Sequence, residues 1–574
     1  MLKKCLISGA LFGSLNGVVV ALFTLELNHF PPTLSNLFLV PLFHILIYLP
    51  IGLLAGAGLF VLFAAIAKAA PSFAKVVRQQ TAVSAVVLLL LASAVFGYRM
   101  LRSFPAQVSK HAIKYSGNST QALNRTPSEG AWNKEKYIKA KPHFKLIVFA
   151  LDAASFTVLD PLIAEGQLPT LKKLIDSGVS ATVQTLRPTR SPIIWTTIAS
   201  GKLPAEHGVW DFVLSKMPGT SFTRGRFKYP AASGLNRLSG FFADISFIPN
   251  IPYTSNLRRV KAFWNLLSEF ERSVGLIGWY ASFPAEPVNG FVVSDGFFYS
   301  SRYEDDPIRN SLTYPADLYH DIKNLASEKS AMDNAELPAL FHFSDRDWQR
   351  VRDSKQFDNI SYLLKLTYLR DYRTFEVAKK LLHEATLEDL DMFAVYFKAL
   401  DEVSHAACEG DGGKLLSLED GLSICWQSVV AAYKRADERI AEILKTTDEN
   451  TAIMIVSDHG FSYGDMTGER KVGHWDGQDG IFILSGPNIK KDTRIEKITI
   501  LDILPTLLYM ENIPVALDFR GQVLTDVFEP GFVSANPVDY ISTFEDRDAA
   551  SNEPVQTKMN EEIEKKLKSL GYIN

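Results

Sequence analysis

The sequence predicts an α/β protein with a mainly parallel central sheet flanked by helices, preceded by apolar segments long enough to be transmembrane helices. Three observations predict it. Strand and helix signals alternate from Phe144 to about Asp526, the pattern of an α/β domain. Three hydrophobic runs, at 144–151, 393–400 and 452–457, lead into Asp152, Asp401 and Asp458. Runs of that length, rich in β-branched and aromatic residues, read as strands buried on both faces of a parallel sheet. Finally, residues 5–28, about 38–67 and 81–98 are nearly free of charge, and each is long enough to cross a bilayer.

The N-terminal spans come first. The first is not a simple cleaved signal peptide, because two more apolar spans follow it. The second fits one tilted helix or a helix with a re-entrant end. Three buried helices of a soluble bundle are the alternative. Lys3 and Lys4 precede the first span, and Lys68, Lys75 and Arg78 lie around the loop between the second and third. The loop near 28–36 has no Lys or Arg. Positive charge stays inside, so the N-terminus is expected in the cytoplasm and everything after Arg99 outside. Arg99, Arg102, Lys110 and Lys114 run against this scheme, but a long translocated domain overrides local charge.

Composition narrows the possibilities. At 574 residues the chain exceeds one ordinary domain. Lys and Arg number 60 against 63 Asp and Glu, a net charge of −3, which excludes nucleic acid as a bulk electrostatic partner. Of three cysteines, Cys5 lies in an apolar span, while Cys408 and Cys425 could pair. With no CxxC pattern, any metal must be held by oxygen and imidazole. Residues 1–100 are expected as the membrane region and 101–143 as a polar linker. Residues 144–530 are expected as the main domain, with aromatic-, Pro- and Gly-rich insertions at about 203–345 reading as a cap above the strand ends. A tail at 531–574 ends in a short amphipathic helix at 561–570.

In an open α/β sheet the ligand crevice lies beyond the carboxyl ends of the strands. Asp152, Asp401 and Asp458 are expected to converge there with His405, His459 and His474. Three carboxylates and three imidazoles are the composition of a two-metal hydrolytic centre. Between the first two runs, Ser191-Pro192 opens a helix that Gly201 closes. Its start offers unpaired N–H groups and the positive end of a dipole, a natural phosphate site. A hydroxyl there beside a divalent metal could attack phosphorus. Most Ser-Pro pairs only cap their helix, and the local pattern alone favours that reading.

The wider pattern resembles the alkaline phosphatase superfamily, in its type I phosphodiesterase/nucleotide pyrophosphatase branch. The matching stretches are Leu151-Asp152-Ala153 and the run from Ser191 through Gly201-Lys-Leu-Pro-Ala-Glu-His207-Gly208-Val209. Asp401-Glu-Val-Ser-His405, Ser457-Asp458-His459-Gly460, Gly473-His474, Gly486-Pro487, Leu501-Asp-Ile-Leu-Pro505-Thr506 and Asp518-Phe-Arg-Gly521 follow in order. They cover roughly 144–530. The resemblance implies an alkaline-phosphatase-like fold and two divalent metals, zinc in this family. By similarity Asp401, His405 and His474 hold one metal. Asp152, Asp458 and His459 hold the other, beside the Ser191 oxygen. The implied reaction is in-line attack by Ser191 on phosphorus, giving a phosphoserine that is then hydrolysed. Members commonly carry Thr there. Thr189 is the rival hydroxyl, two residues earlier and outside the helix start. His207 reads as a turn residue packing beneath the site, and Asp465, Asp476 and Asp479 as loop residues.

One departure stands out. Nucleotide pyrophosphatases typically place an asparagine shortly after the His-Gly, as a donor to the phosphoryl oxygen. The corresponding position is Phe212, which cannot donate; Arg187, Arg190 or Lys202 are the substitutes in reach of the sequence. The expectation is therefore a membrane-anchored two-metal phosphoester hydrolase, a phosphodiesterase first, with its catalytic domain extracytoplasmic (periplasmic in a Gram-negative cell) and its substrate better matched to a phosphoester other than a nucleotide, lipid-linked ones included. A transferase moving a phospho-head-group to a lipid or glycan is the alternative. A non-catalytic receptor is disfavoured because all six ligand residues are present. A sulfatase is disfavoured because Pro192 follows Ser191 directly, where formylglycine formation needs another pattern.

Overall fold

The computed structural model describes residues 133–216, 223–225, 250–299, 307–325, 349, 353, 360–385, 389–409, 421–463, 472–474, 478–545 and 559–569. The expected membrane region, 1–100, lies outside the described residues. Among those described, no helix is long and apolar enough to cross a membrane.

The chain forms two compact units, one of them including 213–251 and the other running from 115–212 through 252–574. In the first, Val213–Lys216 pairs antiparallel with Thr223–Gly225. The second is built on a nine-stranded sheet. In chain order the strands are β1 (Lys145–Leu151), β2 (Gly178–Gln184), β3 (Val274–Ile277), β4 (Gly290–Val293), β5 (Thr313–Tyr314), β6 (Met392–Phe397), β7 (Thr451–Val456), β8 (Gly480–Ser485) and β9 (Thr493–Thr499). Their order across the sheet is β9-β2-β8-β7-β1-β6-β3-β4-β5.

Five consecutive strands, β7-β1-β6-β3-β4, are mutually parallel. β8 runs antiparallel between β7 and β2, and β5 antiparallel at the far edge. The mainly parallel sheet expected from sequence is thus present. β6, β7 and β8 are buried along their whole length, which is why they read as continuous apolar runs rather than alternating ones.

Register puts the carboxyl ends level. Leu151 of β1 stands opposite Phe397 of β6, and Ala150 opposite Val456 of β7. Whatever follows these three strands must emerge side by side in the crevice. Two expectations need correction here. β3, β4 and β5 come from within 203–345, so that stretch supplies sheet strands and is not cap alone. Each is only two to four residues long, too short to register as a periodic run. Also, Asp401 does not end a strand. β6 stops at Phe397, and Asp401 lies on a helix, Ala399–Ser404.

The flanks are tied down at both ends. The end of the expected linker forms a helix, Lys134–Lys139, where Tyr137 Oη donates to Asp539 at 2.7 Å and Arg272 donates to the Tyr137 carbonyl at 3.0 Å. The tail carries the helix Met559–Ser569, which buries Lys566 and Leu567.

Glu511, just past the helix Ile503–Met510, is fully buried, and neither carboxyl oxygen has a hydrogen-bond partner. Burial, with the charge of Asp391, pushes its carboxyl well above the ordinary range. A raised folded-state pKa contributes stability that is complete below the unfolded value of about 4.3 and is lost as pH rises. Glu511→Gln is therefore expected to stabilise the protein by about 1–3 kcal/mol at pH 8. The gain should disappear near pH 4. Thermal melts of both forms across that range check it.

Candidate metal centre

The helix α1 (Ser191–Ser200) is buried throughout. Gly201 ends it in the left-handed region at φ 65°, where glycine carries no steric penalty. Its start differs by one residue from the expected one: Arg190 precedes the helix, Ser191 is its first residue and Pro192 its second. No side chain caps it. Ser191 Oγ instead lies 3.4 Å from Asp152 Oδ1 and 3.3 Å from His459 Nε2. The hydroxyl that local pattern would assign to capping is turned into the crevice.

Asp152 follows β1 directly. Asp458 and His459 follow β7. His459 Nε2 lies 3.5 Å from Asp152 Oδ1 and 3.2 Å from Asp458 Oδ2. These three residues form one group whose ligating atoms all lie within 4.8 Å of one another. The second group is built on the helix α2 (Ala399–Ser404) and the turn after it. Asp401 and His405 are spaced i, i+4, which stacks them on one face. His405 Nε2 is 3.4 Å from Asp401 Oδ1, His474 Nε2 is 3.9 Å from the same oxygen, and the two imidazole nitrogens are 2.9 Å apart. Asp401 and His474 also group with His459. The His459 and His474 rings stack with centroids 4.3 Å apart, making a shared wall between the two groups.

These donors fit zinc. Ligands about 2.0–2.1 Å from a tetrahedral zinc lie roughly 3.3 Å from each other, and the closest contacts in both groups fall near that value. The electrostatics agree. Burial, together with the charge on Asp401, pushes Asp152 up to about 8. Asp458 rises well above its ordinary value through burial and the charges of Asp152 and Asp401. Burial would raise Asp401 too, but the charge and hydrogen bond of His405 override it and hold that carboxyl down. Burial lowers His459 to about 4 and His474 well below its usual value. Burial thus leaves His459 and His474 neutral, the form in which an imidazole binds a cation, while the crowding that holds protons on Asp152 and Asp458 is a cost that a bound cation would relieve.

A supporting layer fixes these groups. The hydroxyl of Tyr396, on β6, donates to Asp152 Oδ2. The His459 ring places Nδ1 3.0 Å from the Gly460 carbonyl; a proton on Nδ1 leaves Nε2 with a lone pair for the crevice. Ala153 adopts φ 62° and donates its N–H to Asp458 Oδ1 at 3.3 Å. Neither Tyr396 nor Ala153 was singled out from sequence. Tyr396 lies inside an apolar run, where nothing distinguishes a core tyrosine from a supporting one.

The remaining candidates fall outside the two groups. Thr189 Oγ1 is 3.4 Å from the Leu186 carbonyl, and it is the Thr189 backbone, not its hydroxyl, that hydrogen-bonds His474. His207 lies in a buried turn, with Thr197 Oγ1 at 3.1 Å and the Val209 N–H donating to its Nδ1. Burial and the nearby Arg258 lower it to about 3. Asp479 pairs with Lys497 at 2.8 Å, while Asp465 and Asp476 lie outside the described residues. Phe212 is buried, its ring 6.3 Å from that of Tyr280. Arg190 is ion-paired with Asp211, Lys202 with Asp518 at 2.6 Å, and Arg187 is exposed. The stand-in cations are thus committed elsewhere or turned to solvent.

The sequence model of the family "Type I phosphodiesterase / nucleotide pyrophosphatase" matches residues 146–485, more than half of the chain. The chain belongs to that family. It is accordingly a member of the alkaline phosphatase superfamily, whose hydrolases act on phosphoesters and related esters. No curated protein matches this phosphodiesterase-family chain. Among solved structures it is similar to a mutant of the alkaline phosphatase PafA (14% identity, 68% of this chain and 100% of that one, TM-score 0.41). It is also similar to a murine ectonucleotide pyrophosphatase/phosphodiesterase in complex with AMP (12%, 67% and 100%, 0.38). A third is a putative sulfatase from Bacteroides thetaiotaomicron (15%, 68% and 75%, 0.39).

Proposed function

We propose that this chain is a membrane-anchored phosphodiesterase that holds two zinc ions and acts through a phosphoserine on Ser191. One observation carries the reading: Ser191 Oγ stands at the start of a buried helix, between Asp152 Oδ1 and His459 Nε2. Asp152, Asp458 and His459 would hold one metal beside that oxygen. Asp401, His405 and His474 would hold the other. When bound, the metals supply Lewis acidity that eases ionisation of the hydroxyl and offsets charge on the phosphoryl oxygens.

The protein groups do the rest. The positive end of the α1 dipole lies at the attacking oxygen. Tyr396 and Ala153 hold Asp152 and Asp458 in place through the bonds described. As the Ser191 Oγ–P bond forms, the hydroxyl gives up its proton to water, the bond from phosphorus to the leaving oxygen breaks, and that oxygen takes a proton from water. Water then cleaves the phosphoserine, and a proton returns to Oγ.

Two features bear on substrate and place. Phe212 removes the amide donor expected of a nucleotide pyrophosphatase, which favours a phosphoester other than a nucleotide. Cys408 and Cys425 form a disulfide, a bond that persists in oxidising compartments. This agrees with a catalytic domain outside the cytoplasm, tethered by the apolar spans in 1–100. A phospholipid head-group substrate would suit that tether.

The test is a panel on full-length protein in detergent: aryl monoester, aryl diester, nucleotide and phospholipid, with and without a lipid or glycan acceptor. Diester hydrolysis is expected to dominate, to stop on chelation and to return with zinc. Activity that survives exhaustive chelation overturns the metal assignment, and product found only on the acceptor identifies a transferase. Tyr396→Phe should lower activity about 10–100-fold, the usual cost of losing a bond to a metal ligand. An unchanged rate would remove Tyr396 from the supporting layer.

A further inference from the structure

The residue after Asp401 points to a role for the C-terminal tail. Glu402 is buried and its carboxylate is gripped by three groups. Lys566 Nζ lies 2.8 Å from Oε1 and 2.9 Å from Oε2. Thr367 Oγ1 donates at 3.0 Å, and the Arg370 guanidinium pairs with Oε1. Thr367 and Arg370 belong to the long helix Ile360–Glu384, whereas Lys566 arrives from the tail, 164 residues away. Lys566 is only 4% exposed, and the next residue, Leu567, only 5%. Burying an ammonium is costly unless it is paired. An isolated helix of eleven residues is also marginal in water. This pairing therefore accounts for where the tail helix sits.

Glu402 shares the six-residue helix α2 with Asp401, and His405 follows at its end. Neighbouring residues on a helix differ by about 100° in direction. A carboxylate held at one angle thus sets the rotation of a helix this short, and with it the aim of Asp401 and His405. We propose that the C-terminal helix is a positioning element of the metal centre. Through its ion pair with Glu402, Lys566 fixes α2 so that Asp401 and His405 converge with His474. Lys566 touches neither the substrate nor the reacting atoms. This inference rests on the two-metal reading proposed above.

The experiment uses the full-length chain, stripped of metal and titrated with zinc. Bound metal is measured by elemental analysis, and turnover is measured alongside. Wild type is expected to take up two equivalents. Lys566→Met should need roughly tenfold more free zinc to fill the second, in keeping with the effect of losing support behind a ligand, and should regain wild-type kcat at saturating zinc. Lys566→Arg should restore the wild-type titration by keeping the charge. Lys565→Met, at an exposed position on the same helix, should not change it. If Lys566→Met fails to accumulate as folded protein, Glu402→Gln reads the same contact from its other side and should weaken the same site. The proposal falls if both variants bind two zinc ions with wild-type affinity, even with a lowered melting temperature, because the tail would then be docking only. A wild-type chain that takes up no zinc overturns the two-metal reading instead.

Discussion

Ser191→Ala is expected to lower turnover of an aryl phosphodiester by at least roughly 10³-fold, the scale of removing an attacking nucleophile, while leaving both equivalents of zinc bound. The two measurements separate two roles. Ser191 Oγ sits 3.4 Å from Asp152 Oδ1 and 3.3 Å from His459 Nε2, so it is close enough to act both as attacking group and as metal neighbour. The remaining contacts among Asp152, Asp458, His459 and Ala153 do not involve it. Metal content that survives with activity lost assigns Ser191 to chemistry. Wild-type turnover in Ser191→Ala would return the question to Thr189, whose hydroxyl faces the Leu186 carbonyl. Ser191→Thr should retain activity, since it keeps the hydroxyl and adds one methyl.

The parts of this centre differ in how far sequence reveals them. Asp152 and Asp458 were legible because each lies one or two residues beyond a parallel strand that is buried from its second residue on or throughout, and such strands announce themselves as apolar runs. Asp401 was legible as a ligand candidate but not as a helix residue. The apolar run continues through Ala399 and Leu400 into α2, and periodicity alone does not mark where strand gives way to helix. β3 and β4 escaped because four-residue strands carry too little pattern. The Lys566–Glu402 pair escaped for another reason. Neither residue's local sequence differs from that of an ordinary charged helix face, and only the tertiary fold joins positions 164 apart. Phe212 shows the converse. Sequence located the missing amide donor, but the structure was needed to find Arg190 and Lys202 already paired with Asp211 and Asp518.

Above about pH 6.5, where the buried histidines are neutral in both folded and unfolded states, the metal-free protein should lose stability as pH rises, and zinc should reverse the trend. Three buried carboxylates, Asp152, Asp401 and Asp458, face one crevice. Burial and the charge on Asp401 raise Asp152 to about 8, against an unfolded value of about 3.9. Without metal the folded state therefore holds a proton that the unfolded chain has released across that interval. Stability from this group is complete below about pH 4 and falls as pH climbs to about 8, by an amount on the order of several kcal/mol. Zinc binds the ionised carboxylates, so the melting-temperature gap between loaded and metal-free protein should widen from pH 5 to pH 8. Asp458→Asn removes one of the crowded charges. At pH 8 its metal-free form should melt above metal-free wild type, yet zinc should no longer raise its melting temperature and hydrolysis should be lost. That outcome would mean the centre is held in a destabilised state for the sake of the metal, as functional sites often are. A metal-free wild type whose melting temperature is flat from about pH 6.5 to 8 and indifferent to zinc would show that these carboxylates are not waiting for a cation.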